Sequence, residues 1–161
     1  MGSKSLAVAQ CLVDKSEAPI TPMKLLKLVY IAHGYMLGMD GRPLLDEQVQ
    51  AWKFGPIVAS VYQAVRGYCS NPVTRVPGTG GPEAGAGGWA GQLTIRELMI
   101  ISIVLDKYGQ VDAVALSGAT HRPGTPWSTT WSMRQQNAEI SNDLIEHFYR
   151  NMMKQPVHSA L

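Results

Sequence analysis

Few residues of this chain stand in settings that suggest chemistry, and they lie far apart in the sequence. His33 lies in the apolar segment YIAHGYM beside two tyrosines. His121 lies in ALSGATHRPGTPWSTTW, with two prolines and two tryptophans. An imidazole can transfer a proton, bind a metal or fasten a loop through hydrogen bonds. Each of these two histidines is therefore a candidate for all three roles.

The local spacings that usually accompany metal or catalytic sites are missing from the sequence. It contains no HExxH, no CxxC and no pair of histidines three or four residues apart. It also lacks GxxxxGK[ST] and a strand-borne GxGxxG, and Ser117 in LSGAT is not part of a GxSxG elbow. We predict no metal and no cofactor, while a long-range metal site from His33, His121 and an acid stays open.

One enzymatic alternative is a small hydrolase or transferase. Its pocket would bring His33 and His121 together with Tyr30 and an acid, either Asp46 or Glu47. Both imidazoles would have to share a cleft within hydrogen-bond reach of a nucleophile. A histidine without such partners is more often buried and satisfied by a carbonyl, a hydroxyl or a carboxylate. We therefore favour a protein that is not an enzyme.

The segment around His121 has the composition of a loop whose shape is fixed in advance. Pro123 and Pro126 hold the residues before them extended, and Gly124 permits a reversal between them. Trp127 can bury its ring if its indole N–H finds an acceptor, and His121 can donate to helical carbonyls or lie against that ring. This structural role is favoured over partner binding, and partner binding over catalysis.

The segment AWKFGPIV is interpreted in the same way. Alternating residues from Val49 onward predict a brief strand, and Pro56 is predicted to begin a helix after it. Trp52, Phe54 and the turn at Gly55 would then anchor the corner between the strand and the helix. A partner-binding role would require aromatic area that stays exposed.

Helix signals are frequent in the first half of the chain. A short first helix is predicted over residues 5–15. A second helix begins after Thr21, a good N-cap, with Pro22 at its first position. Its apolar residues form one broad stripe, which leaves Lys24 and Lys27 on the remaining faces.

The second half of the chain has three further helix signals. Thr94 and Glu97 form a capping box before a segment that is apolar nearly all round, which indicates a central buried helix. Asp112 is predicted to cap a shorter helix. The last helix is predicted to have Ser141 as N-cap, a hydrophobic staple of Ile140 and Ile145, and a core stripe of Leu144, Phe148 and Met152.

Composition excludes several classes of protein. The 161 residues are 45% hydrophobic and 16% charged, and no apolar run reaches the length that spans a bilayer. The net charge is only +2 and the basic residues are scattered, which argues against nucleic-acid binding. No export signal is visible, so we expect a cytoplasmic protein without membrane contact in which Cys11 and Cys69 are reduced and buried.

These signals predict a mainly α fold. We expect a single domain of about six helices over residues 1–155, with a short two-stranded β element as an option. Residues 77–91 are so rich in glycine that a flexible surface loop is expected there. Residues 156–161 are expected to form a disordered tail.

Three segments taken together resemble a known family: LLKLVYIAHGYML, PLLDEQVQAWKFGPIVASVY and LSGATHRPGTPW. Their order and spacing are similar to those of the Panacea domain, found in the SocA-like antitoxin and phage-associated protein group. The residues that match the family pattern are Leu28, Tyr30, His33, Gly34, Pro43, Leu44, Ala51, Trp52, Gly55, Pro56, Val58, Tyr62, His121 and Trp127. The glycine-rich stretch is longer than in the family, and more residues separate His121 from Trp127.

The resemblance implies an α-rich antitoxin that neutralises a toxin encoded beside it through direct protein contact. It leaves open whether the antitoxin covers the toxin's active site or delivers the toxin to a cellular protease, and whether the chain forms a homo-oligomer. The residues to which it gives a partner-binding or scaffold-defining role are Tyr30, His33, Trp52, Gly55, Pro56, Tyr62, His121 and Trp127.

Overall fold

The fold comes from a computed structural model, which describes residues 2–79, 89–132 and 137–155. The elements, in chain order, are α1 (Ser3–Lys15), α2 (Pro22–Asp40), β1 (Val49–Trp52), β2 (Gly55–Ile57), α3 (Ala59–Val65), a 3-10 turn (Arg66–Tyr68), α4 (Ile95–Tyr108), α5 (Ala113–His121), α6 (Pro126–Trp131), β3 (Glu139–Ile140) and α7 (Asn142–Met153). The predicted mainly α fold is confirmed. Residues 80–88 of the predicted glycine loop and the predicted tail 156–161 lie outside the described residues.

Helix α2 is at the centre of the fold, because 16 of its 19 residues are buried. Thr21 caps its first turn and Pro22 occupies its first position, as predicted. Gly41 ends the helix with a left-handed φ of 69°, a conformation that glycine adopts without steric cost. The prediction that the helix after Thr94 is the central one is wrong, since α4 leaves Ile95 80% exposed.

Helix α4 packs antiparallel to α2. Asp40 at the end of α2 accepts two hydrogen bonds, of 2.8 and 2.7 Å, from the Arg96 guanidinium at the start of α4. Lys24 near the start of α2 donates to the carbonyl of Gly109, directly after α4. The predicted capping box at the start of α4 is present.

Helix α7 also packs on α2, and a glycine allows the close approach. A Cβ atom on Gly34 would lie 2.3 Å from a ring carbon of Tyr149, closer than two carbon atoms can pack. The Tyr149 ring contacts the rings of Tyr30 and Tyr35, with centroid distances of 6.0 and 5.7 Å. Gly34 therefore creates the space in which the α7 tyrosine is buried.

The stripe that was predicted to be the core face of α7 is displaced by about one residue. Ile145 and Tyr149 are the buried residues of the helix, whereas Leu144 is exposed and Phe148 and Met152 are half-buried. The predicted N-cap, Ser141, does accept a hydrogen bond from the backbone. Because α7 packs through the face that contains its tyrosine, the core covers the neighbouring apolar stripe only in part.

A small antiparallel sheet lies beside the helices, with strand order β2-β1-β3. Strands β1 and β2 form a tight hairpin in which Ala51 pairs with Pro56 and Trp52 pairs with Gly55. The prediction that Pro56 begins a helix is wrong: it lies in an edge strand, where its missing N–H disrupts no ladder. Strand β3 was not predicted, because a two-residue strand has no periodicity to detect.

The segment after His121 is partly helical, although its sequence predicted only a loop. Thr125 caps α6 through its side chain and Pro126 follows at the first helical position. This is the same pair of signals that begins α2, and it was missed because α6 has only six residues. Asp112 caps α5, as predicted.

Both cysteines are free, as predicted, but only one is buried. Cys11 lies within the core, whereas Cys69 is exposed and has a positive φ of 57° at the end of the 3-10 turn. The expectation that both thiols are buried is therefore wrong for Cys69. Within residues 2–79, 89–132 and 137–155, no helix is both long and apolar enough to span a bilayer.

Candidate functional site

The segments that resemble the Panacea domain meet around one buried lysine that the sequence pattern had assigned to an outer face. Lys27 of α2 is only 2% exposed. Its ammonium group donates to the carbonyl oxygens of Phe54 and Pro56, at 3.3 and 3.2 Å. Burial lowers the pKa of Lys27 to about 8. The lysine thus ties the central helix to the turn of the β1–β2 hairpin.

Gly55 allows the lysine to approach this turn. Its φ of +123° lies in a region that L side chains rarely adopt. A Cβ atom there would be 2.8 Å from Lys27 Nζ and 3.6 Å from His121 Nδ1. Two predicted site residues, Gly55 and His121, therefore lie together with Lys27 at one point.

Two indole rings connect the hairpin to α6. The Trp127 indole N–H donates to the Trp52 carbonyl at 2.6 Å, so the predicted acceptor for this ring is found. His121, the last residue of α5, lies against the Trp127 ring at 5.4 Å in an edge-on arrangement. The Trp131 ring stacks on the Trp127 ring, with 5.3 Å between centroids. His121 thus makes one of the two contacts expected for it, the one with the Trp127 ring.

Trp52 extends the same contact network to α3. Its ring packs edge-on against Tyr62, with 4.9 Å between centroids, and its indole N–H donates to Gln50 at 2.8 Å. Pro56 is buried in β2. The Trp52–Tyr62 contact therefore joins the hairpin to α3.

The hairpin tip, defined here as Lys53 and Phe54, is exposed. Phe54 is 70% exposed, which corrects the expectation that it anchors the corner. The Lys53 ammonium lies 5.4 Å from the centre of the Phe54 ring. The backbone beneath is fixed, because the Phe54 carbonyl accepts hydrogen bonds from Lys27 and, at 3.4 Å, from Ser117 of α5. An exposed aromatic ring thus projects from a backbone that two hydrogen bonds hold in place.

His33 serves a different part of the fold. It is fully buried, and its Nε2 lies 3.0 Å from the Asn142 side-chain oxygen on α7. Its Nδ1 accepts hydrogen bonds of 3.3 Å from the backbone amides of Leu44 and Leu45. Nδ1 therefore carries no proton and Nε2–H is the donor. Burial lowers the pKa of His33 to about 4, so the ring is neutral and fastens α2 to α7 and to the chain after α2.

The other residues of the enzymatic alternative each make contacts in a different part of the fold. Tyr30 is 1% exposed and lies against Tyr149, and burial raises the pKa of its hydroxyl. Asp46 accepts hydrogen bonds from backbone amides at the start of α1. Glu47 accepts from the amide and hydroxyl of Ser60. His33 and His121 share no hydrogen-bond or ring partner in the described part of the chain, so these contacts assemble no common cleft for catalysis.

The described residues do not assemble a set of metal ligands either. Among the residues that the structure describes, no group of three histidine, cysteine, aspartate or glutamate side chains could hold a metal ion. The site is instead a packed framework with an exposed hairpin tip. Lys27 is the member that sequence reasoning missed; a lysine on a helix that is apolar on nearly every side was the available signal.

Comparisons with known proteins match the region that contains this framework. A family model described as "Antitoxin SocA-like, Panacea domain" matches residues 25–128, well over half of the chain. A curated relative named Antitoxin SocA, from Caulobacter vibrioides (strain NA1000 / CB15N), is 48% identical over 60 residues, which are 35% of this chain and 32% of the relative. The match thus spans about a third of that protein's length. No solved structure gives a significant match.

Proposed function

Because the chain belongs to the SocA-like antitoxin family defined by the Panacea domain, we propose that it neutralises a toxin through direct protein–protein contact. The relative in Caulobacter vibrioides is named an antitoxin, which supports this role. The partner is then a toxin protein, and we place the encounter in the cytoplasm.

The hairpin tip is the surface that we assign to this contact. Exposed aromatic side chains are frequent energetic centres of protein interfaces. Binding costs less entropy when the backbone that carries such a side chain is already ordered. Phe54 meets both conditions, since its ring is 70% exposed while its carbonyl is held by Lys27 and Ser117. This combination is the observation that carries the proposal.

The eight residues singled out from the sequence then act mainly as a scaffold for the tip. Gly55, Pro56 and Trp52 shape the hairpin itself, and His121 and Trp127 fix it to α5 and α6. The remaining three support it from further away: Tyr62 packs on the Trp52 ring, and Tyr30 and His33 fasten the central helix to α7.

Co-expression with the product of the neighbouring gene tests the antitoxin role. We expect wild-type chain to restore growth to cells that express this toxin and to form a complex with it. Phe54→Asp places a charge at the centre of the contact and should weaken the complex at least about tenfold. Ile95→Asp is the matched control, because Ile95 is also strongly exposed, at 80%, but lies on α4.

The results test the antitoxin role and the assignment of the hairpin tip as its contact surface separately. If the chain neither binds the neighbouring product nor restores growth, the antitoxin role is wrong. If it restores growth and Phe54→Asp binds as tightly as Ile95→Asp, the role stands and the hairpin tip is not the contact. Toxin half-life with and without the chain distinguishes delivery to a protease, which shortens it, from occlusion, which does not.

A further inference from the structure

One face of α5 follows the β1–β2 hairpin and continues beyond it. His121 lies beside Gly55, where an added Cβ atom would be 3.6 Å from the imidazole Nδ1. One turn earlier in the helix, the Ser117 hydroxyl donates to the Phe54 carbonyl at 3.4 Å. Val114 precedes Ser117 by three residues and so lies on the same face, one turn further along. The face that contacts the hairpin therefore leads past the tip to Val114.

Val114 is a second exposed apolar side chain next to the hairpin tip. It is 78% exposed, compared with 70% for Phe54. A single exposed apolar residue is common on a protein surface. These two belong to adjoining elements that a hydrogen bond joins, so one partner can cover both. Lys53, Phe54 and Val114 are called the tip–α5 surface below.

The elements that form this surface contain no carboxylate. Residues 49–57, α5 and α6 include neither aspartate nor glutamate, although the whole chain has 12 acidic residues. Asp112, just before α5, is the N-cap of the helix and accepts a hydrogen bond from the Ala115 amide at 2.8 Å. Its negative charge is therefore used at the helix N-terminus, where the partial charge of the backbone is positive.

The two lysines of the hairpin are also without acidic partners in the described part of the chain. Lys53 is exposed and lies over the Phe54 ring, and buried Lys27 donates to two neutral carbonyls. The ion pairs between described residues lie on other parts of the fold: Lys4–Glu97, Arg42–Asp40, Arg96–Asp40 and Arg150–Glu146. The positive charge at the hairpin thus favours a partner that brings carboxylates.

We propose that the tip–α5 surface binds a region of the toxin in which apolar side chains are flanked by carboxylates. Phe54 and Val114 make the apolar contact, and Lys53 faces the acidic groups. The inference rests on the proposed antitoxin function and adds the chemistry of the partner. A second copy of this chain is a poorer match, because a twofold contact through the tip sets Lys53 against Lys53.

Titration calorimetry of the full chain with the product of the neighbouring gene tests the apolar contact. Val114→Asp should weaken the complex at least about tenfold, because it places a carboxylate opposite carboxylates. Val114→Lys also removes the apolar side chain but should weaken the complex less than Val114→Asp does. Ile95→Asp is the matched control and should bind like the wild type, because Ile95 is a β-branched residue in the first turn of α4 and is 80% exposed.

A charge reversal at Lys53 tests the acidic groups. Lys53→Glu should weaken the complex about fivefold or more at ~0.05 M salt, and the loss should shrink at ~0.5 M salt because ions screen the repulsion. Lys107→Glu is the matched control and should bind like the wild type. Lys107 is also exposed and lies over an aromatic ring, 5.9 Å from the centre of Tyr108, but it belongs to α4. Thermal melting of each variant confirms folding.

Several results would overturn the inference. If Lys53→Glu binds as tightly as Lys107→Glu, or Val114→Lys as weakly as Val114→Asp, the toxin brings no carboxylates to this surface. If Val114→Asp binds as tightly as Ile95→Asp, the contact does not reach α5. A wild-type dimer that Val114→Asp dissociates, seen by sedimentation of the chain alone, would assign the surface to a second copy. These outcomes leave the antitoxin role standing, whereas a wild-type chain that does not bind the neighbouring product refutes that role itself.

Discussion

Replacing His33 by glutamine removes a buried imidazole whose protonation is linked to folding. In the folded chain the ring is neutral, with Nδ1 accepting from two backbone amides and Nε2 donating to Asn142. A proton on Nδ1 would place a charge in the core and turn the acceptor of two amides into a donor. The folded state therefore resists protonation until the pH is far below the ordinary pKa of histidine.

The size of the effect follows from the two pKa values. The pKa of His33 is about 4 in the folded chain and 6.5 in an unfolded one. Between these values the unfolded state binds more protons, so the free energy of unfolding falls as the pH falls. The contribution of the neutral His33 ring to the free energy of unfolding is complete above pH 6.5. It decreases between pH 6.5 and 4 and is lost below pH 4. The total amounts to about 3 kcal/mol.

Urea unfolding, followed by circular dichroism at several pH values between 7 and 4, measures this pH dependence in the wild type and in His33→Gln. At pH 7 the free energy of unfolding of the variant should be lower than that of the wild type by roughly 1–3 kcal/mol, because the two amides lose their acceptor. On acidification to pH 4, the free energy of unfolding of the variant should fall by about 3 kcal/mol less than that of the wild type. Asp46 and Glu97 also destabilise the fold in acid, because their carboxyl pKa values are lowered, but they do so equally in both proteins.

If the free energy of unfolding falls by the same amount in both proteins between pH 6.5 and 4, the reasoning is refuted. An equal fall would mean that His33 is protonated as easily in the folded chain as in the unfolded one. The burial and the three hydrogen bonds assigned to the ring would then be wrong.

Three further perturbations test other contacts. Gly34→Ala places a methyl group against the Tyr149 ring and should lower the free energy of unfolding by about 1–3 kcal/mol. At Gly118 an added Cβ atom meets nothing within 4 Å, so Gly118→Ala should raise the free energy of unfolding by about 0.5–1 kcal/mol. Urea titration measures both changes. Lys27→Met should abolish the increase in stability that wild type gains from this lysine between pH 8 and 10, since the folded chain there binds fewer protons than the unfolded one. A thiol reagent should label Cys69 rapidly and Cys11 only on unfolding, and rapid labelling of both would contradict the burial of Cys11.

Helix ends could be predicted from the sequence because capping is local. Thr21, Asp112 and Ser141 each accept a backbone hydrogen bond within three residues of their own position, and so they are recognisable without any tertiary contact. The hydrogen bonds of His33 and Trp127 could also be anticipated, since buried polar atoms usually find partners.

The relative placement of the helices could not be predicted in the same way. The segments of α2 and α4 are both strongly apolar, and α2 is the more buried of the two because α1, α4, α5 and α7 all pack on it. The burial of Lys27 depends on carbonyls 27 and 29 residues away, which no local pattern contains. The prediction that Pro56 begins a helix was wrong for a related reason. The φ of proline suits a helix start and an edge strand equally, and the pairing with Ala51 decides between them.

The clustering of tryptophans gives the protein an internal optical reporter. Trp52, Trp127 and Trp131 lie within one network of ring and hydrogen-bond contacts beside the hairpin, each of them half-buried. Their emission depends on the water and the dipoles around each indole. A molecule that settles on Phe54 will change those surroundings, so association at the tip can be followed by intrinsic fluorescence, with no dye attached to the chain.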